Sequence, residues 1–172
     1  MPFSPSSTLP AALDTMSDAD RQHLVASAAA LMRQAREGLA THPLQGRNLG
    51  LVCEDEHSEA AMRFEQAATA LGAHVVRIRP SVAGLDDADA LPQTARVLGR
   101  LYDAIECQGL PAATVAQIRR HAGVPVYDGL GGLGTAARTV AAMLAPGADS
   151  TAPAEGERDG YVLQALLVGS VG

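Results

Sequence analysis

The stretch Leu51–Val76, LVCEDEHSEAAMRFEQAATALGAHVV, decides the fold of this chain. It runs from an apolar strand through a short loop into a helix, and then into a second strand rich in Val. A loop that empties onto a helix N-terminus is where an α/β protein ordinarily holds a phosphate. Free backbone N–H groups and the positive end of the helix dipole meet there. The charges disagree with that frame. The loop and first helical turn carry Glu54, Asp55, Glu56 and Glu59, with no Arg before Arg63. A dianion would meet repulsion.

Outward from this segment, the pattern repeats. Ser17 can cap a first helix, with Asp20 three residues on in a capping-box-like pair; Leu24, Ala28, Leu31 and Met32 recur on one face of it, and Pro43 and Gly46 close it off. Asn48–Cys53 is the first strand. A helix over Ser58–Leu71 places Ala61, Phe64, Ala68 and Leu71 together, and Gly72 is a natural stop. Ala73–Ile78 is the second strand. A helix from Ala90 to Leu101 starts with Pro92 in its first turn, where proline is tolerated. Then come strand Asp103–Cys107, helix Ala112–His121, strand Val124–Tyr127 and helix Thr135–Leu144. Alternating β and α with short links predicts a three-layer α/β/α fold. Its four-stranded sheet is mostly parallel, with helices on both faces and right-handed crossovers. No internal repeat is visible.

The ends read differently. Residues 1–15 are a Pro- and Ser-rich flexible arm, 16–144 are the domain, and 145–156 (APGADSTAPAEG) are a linker. Residues 157–172 hold Tyr161, Leu163, Leu166 and Leu167, which predict a short helix docking back on the domain.

Composition excludes several functions. The 172 residues suffice for one domain with a core. All 13 basic residues are Arg, scattered within a net charge of −6, so no basic face for nucleic acid is expected. Without Lys there is no P-loop, Schiff-base or general-base lysine. Cys53 and Cys107 each end an apolar strand and read as buried thiols of a reducing compartment. No signal peptide or membrane-spanning run is seen, which predicts a cytoplasmic protein that uses no membrane. Gly129, Gly131 and Gly134 satisfy G-x-G-x-x-G, but no strand follows the helix, so a dinucleotide site is disfavoured. Cys53–His57 is a solvated acidic loop rather than a metal site, since consecutive residues rarely converge on one ion. His23, His42, His74 and His121 are dispersed, with no nucleophile beside them. No cofactor, metal or catalytic residue is assigned.

The order of the pieces resembles the carbamoyl-phosphate-binding domain of the aspartate/ornithine carbamoyltransferase family, from about Ser17 to Leu144, and the resemblance implies the strand order 2-1-3-4. The residues that carry the resemblance are Leu44-Gln45-Gly46-Arg47, Phe64-Glu65 with Ala67, Leu71-Gly72, Thr94–Leu98, Tyr102–Ile105 and Gly123–Val126. All are scaffold positions. At the chemical positions the resemblance fails. Where the family has Ser-Thr-Arg-Thr-Arg to hold the phosphate and carbamoyl group, this chain has His57, Ser58, Glu59, Ala60 and Ala61. Gln108 stands for the Arg after the third strand, and Thr135, Ala136, Ala137 and Arg138 stand for His-Pro-x-Gln. Glu157-Arg158 and Ala165–Leu167 resemble the family's closing helix, which implies excision of the second, acceptor-binding domain.

The resemblance therefore implies a degenerate pocket at His57, Ser58, Glu59, Gln108, Thr135 and Arg138. It also implies an inactive structural or regulatory subunit, self-assembling (as a trimer, by resemblance) or joined to a related carbamoyltransferase. Two alternatives stay open. The acidic cleft could bind a cationic or neutral small molecule, or a partner chain could complete residual transfer activity.

Overall fold

The structure, a computed structural model, describes residues 16–144 and 154–172, with the backbone alone at Thr135 and Ala136. In chain order the elements begin with α1 (Asp18–Arg36), β1 (Asn48–Cys53), α2 (Glu59–Ala70) and β2 (His74–Ile78). There follow a single turn of helix, α3 (Pro80–Ala83), then α4 (Leu91–Leu101), β3 (Ala104–Gln108), α5 (Ala112–Ala122) and β4 (Val126–Asp128). A 3-10 turn at Leu130–Gly132, α6 (Thr135–Met143) and α7 (Glu155–Val171) complete the described residues.

The helix starts obey their sequence signals. Ser17 Oγ accepts the Asp20 N–H at 3.2 Å and donates to the Asp20 carboxylate at 2.7 Å. Ser58 Oγ likewise accepts the Ala61 N–H at 3.2 Å. Each satisfies a donor that the first helical turn would otherwise leave without a partner. Gly72, at φ 86°, turns the chain from α2 into β2.

The four strands form one sheet in the order β2-β1-β3-β4, and every pairing is parallel. Leu49 pairs with Val75 and Ala104, and Leu51 with Arg77 and Glu106, which fixes the faces. One face presents Leu49, Leu51, Cys53, Ala104 and Tyr127 to α1, α2, α6 and α7, in a core that includes Phe64, Val140, Leu163 and Leu167. The opposite face presents Val52, Ile105, Cys107 and Val126 to α4 and α5, around Leu98, Val115 and Ile118. Burying a single Leu or Phe in such a core is worth about 1.5–3 kcal/mol. Both thiols are free and buried.

Several boundaries differ from the sequence reading. Between β2 and α4 stands the single turn α3, for which the sequence reading gives no helix; Pro80 supplies a favourable first-turn residue, and the turn ends at Gly84. The fourth strand starts at Val126, not Val124, because pairing with β3 begins at Ile105–Val126. The last helix is longer than a short docking segment and takes in Glu155 and Gly156, assigned above to the linker. Residues 1–15 and 145–153, the arm and most of the linker, lie outside the described residues.

Candidate ligand crevice

In an open parallel sheet, ligands gather outside the carboxyl ends of the strands, where neighbouring strands leave in opposite directions. Here that place is between β1 and β3, since β1 pairs with β2 on one side and β3 on the other. Three segments meet there: the loop after β1 with the head of α2, the end of β3, and the 3-10 turn after β4.

The β1–α2 loop is largely self-satisfied. Asp55 accepts the His57 N–H at 3.0 Å, and Ser58 closes the first turn of α2. Glu56 lies 3.7 Å from Arg77, which is also bound to Glu65. His57 projects outward with 81% of its side chain exposed, 3.8 Å from Glu56. The Glu59 carboxylate, also exposed, is ion-paired with Arg63 one turn on.

Arg63 ties this loop to the 3-10 turn. Its second guanidinium nitrogen donates to the Gly131 carbonyl at 2.8 Å. The contact between the turn and α2 is so close that a Cβ built on Gly131 would lie 2.1 Å from the Ala60 carbonyl oxygen and 2.8 Å from Gln108 Nε2. Only glycine fits. The close approach that G-x-G-x-x-G permits is thus to this protein's own α2.

Beneath the turn lies Glu106, a fully buried carboxyl in the core-facing row of β3. Its Oε1 accepts the Gly131 N–H at 3.2 Å and a hydrogen bond from the Gln108 side-chain amide. Its Oε2 has no hydrogen-bond partner. Burial pushes this carboxyl up to about 8, and Asp128 nearby pushes the same way. The Gly131 and Leu130 amides and Gln108 only partly offset them. Glu106 is therefore largely uncharged at neutral pH. Burial, with the Glu106 and Asp128 charges, also raises Cys107 to about 12, so it is an unreactive thiol rather than a nucleophile.

The residues singled out in the sequence are thus divided. Glu59 and Gln108 join one connected group, Glu59–Arg63–Gly131–Glu106–Gln108. Ser58 serves as a helix cap, His57 faces outward, and Arg138 is exposed on α6. Thr135 opens α6, but its side chain lies outside the described residues. Sequence reading missed Glu106, although an acid between the apolar neighbours Ile105 and Cys107, in the same core-facing row as Ala104, was a visible signal. It also left Arg63 without a role. Its partner lies 68 residues away.

Among the described residues, no group of three or more His, Cys, Asp or Glu could hold a metal ion, and no helix is long and apolar enough to cross a membrane.

Residues 11–135 match the family described as aspartate/ornithine carbamoyltransferase, carbamoyl-P binding domain. An ornithine carbamoyltransferase of Actinobacillus pleuropneumoniae serotype 5b is 39% identical over 100 residues, 58% of this chain and 30% of the relative. Among solved structures, the ornithine carbamoyltransferase of Pyrococcus furiosus superposes with a TM-score of 0.64 at 21% identity, over 77% of this chain and 42% of that one. The catalytic subunit of M. jannaschii aspartate transcarbamoylase gives 0.61 at 16% identity, over 76% and 43%. These two structural likenesses speak to the fold alone. The chain spans about a third of the curated relatives it matches and less than half of these solved structures.

Proposed function

Since the chain belongs to the aspartate/ornithine carbamoyltransferase family through its carbamoyl-phosphate-binding domain, we propose that it has lost carbamoyl transfer and serves as a structural or regulatory subunit. The observation that carries this reading is the Glu59–Arg63–Gly131 link. In the register of the family's phosphate-holding Arg stands an acid, and the neighbouring cation is already bound to that acid and to a backbone carbonyl. An incoming phosphate would have to displace both contacts and then face Glu59. Exchanging a charge-assisted bond for repulsion costs on the order of several kcal/mol, enough to abolish useful binding.

Gln108 and Arg138 support the same reading. Gln108 is turned onto Glu106 rather than toward an incoming anion, and Arg138 stands where the resemblance expects a carbonyl-polarising side chain. The cationic-ligand alternative is weakened by the ion pairs of Glu56 and Glu59, which already neutralise part of the acidic loop. With the chemistry gone, the scaffold's remaining role is assembly, either with itself or with a related carbamoyltransferase.

Two measurements test this. Purified protein is incubated with labelled carbamoyl phosphate and either ornithine or aspartate; turnover above the uncatalysed rate would sink the loss of transfer. Light scattering of the protein, alone and mixed with a full-length carbamoyltransferase from the same cell, tests the assembly. A monomer that joins neither itself nor the relative would sink that part.

A further inference from the structure

The Leu130–Gly132 turn lies across the carboxyl end of the sheet, where a ligand would otherwise enter. It is held from both sides, by Arg63 on its Gly131 carbonyl and by Glu106 under its Gly131 amide. Glycine brings its backbone against Ala60 with no side chain between. What lies below is an acid with one oxygen unpartnered and none of it exposed. The Gly131 amide needs an acceptor there, but a neutral one would serve; a carboxyl with a bare second oxygen carries a desolvation cost that such an acceptor would avoid.

We propose that this turn is a plug over the crevice, and that lifting it is coupled to the release of one proton from Glu106. Closed, Glu106 sits in a dry site and holds its proton. When the turn lifts, water reaches the carboxyl, which reverts to ordinary carboxylate behaviour and ionises. Mass action then makes the open form more abundant as pH rises toward the value at which the closed form itself loses the proton.

The other groups facing Glu106 fit this scheme. Asp128, at the end of β4, opposes its ionisation. Tyr127, its pairing partner on β4, has a phenol that burial holds neutral, hydrogen-bonded to Ser170 of α7. From α2, Arg63 is engaged by the Gly131 carbonyl and Glu59 and is not among the groups that offset the burial of Glu106. Cys107 belongs to the opposite core. The coupling does not depend on whether carbamoyl transfer is lost.

The test is amide hydrogen exchange at Gly131, corrected for the intrinsic pH dependence of exchange, with the Ile105 amide as a reporter of global unfolding. The expected result is protection at Gly131 lower than at Ile105, falling about tenfold per pH unit from about 5 to about 8 and then levelling. In Glu106→Gln the Gly131 protection should be flat over the same range. Protection that does not change with pH in the wild type, or that falls equally in Glu106→Gln, would overturn the proposal. So would Gly131 exchanging only as slowly as Ile105. Should the variant fail to fold, the carboxyl carbon shift of Glu106 in the wild type decides: a midpoint near 8 supports the plug, and titration in the ordinary carboxylate range ends it.

Discussion

Gly99 on α4 and Gly131 in the 3-10 turn both let backbone meet backbone, the first against Ala122 at the end of α5, the second against Ala60 in α2. A Cβ at Gly99 would lie 1.8 Å from the Ala122 carbonyl oxygen, and one at Gly131 would lie 2.1 Å from that of Ala60. The steric device is the same, but the surroundings are opposite. The α4–α5 seam is backed by Leu98, Val115, Ile118 and Ala122, all apolar. The α2–turn seam is backed by Glu106, Gln108 and Arg63. A dry seam serves stability alone. A seam over a buried acid places part of that stability under the control of protons, at the carboxyl end of the sheet where open α/β folds in general hold ligands.

The comparison can be broken first at its dry side. Gly99→Ala forces backbone apart in a packed layer and should cost about 3 kcal/mol or more, with a cost independent of pH, read from urea unfolding at several pH values. Gly131→Ala should cost less, about 2 kcal/mol, because a three-residue turn can shift where two packed helices cannot. If the two variants cost the same, the turn is as rigid as the helix pair and the contrast fails.

Third is the pH dependence of the wild type. The folded-state value of Glu106 is raised above its unfolded one, so folding takes up a proton between about 4.5 and about 8. The unfolded chain binds fewer protons in that window, so stability falls as pH rises, by about 1.4 kcal/mol per unit. Below the window both states are protonated and the contribution is fully present; above it the loss is complete. Asp103 acts in the other direction at lower pH. The Asn48 amide and Arg47 lower its value, so its contribution is lost only as pH falls through the acid range. Chemical denaturation from about pH 5 to about pH 8 checks the slope, and Glu106→Gln should remove it. The smallest effect is expected at the Arg77 ion pairs with Glu56 and Glu65, which are solvent-facing. Arg77→Ala should shift the urea midpoint hardly at all, and less at higher salt.

How much of this was legible beforehand follows the range of the interactions. Ser17 announced its cap, and the alternation of Val-rich runs with helical stripes predicted a parallel sheet with helices on both faces. Those signals are local, or they follow from connection rules that hold for any parallel sheet. The crevice was read from single positions, and there the outcome was mixed. Glu59 and Gln108 do sit at the sheet's carboxyl end, but each is used internally. Whether Arg63 reaches Gly131, or Glu106 is left with a bare oxygen, depends on segments far apart in the chain that meet only in the finished fold. The start of β4 moved for a similar reason: pairing with β3, not the Val124-Pro125-Val126 run itself, decides where the strand begins.

The two cores also differ in when they can exist. Every residue of the α4–α5 core lies between Val52 and Val126, whereas the opposite core needs Leu24 and Ala28 from α1 together with Leu163, Leu167 and Val171 from α7. A chain is made from its N-terminus at about 5–20 residues per second. One side of the sheet can therefore close a few seconds before the other has its last helix. During that interval the nascent domain shows a half-clothed apolar sheet to the cell, and it is then that a chaperone, or an assembly partner acting during synthesis, has its opening.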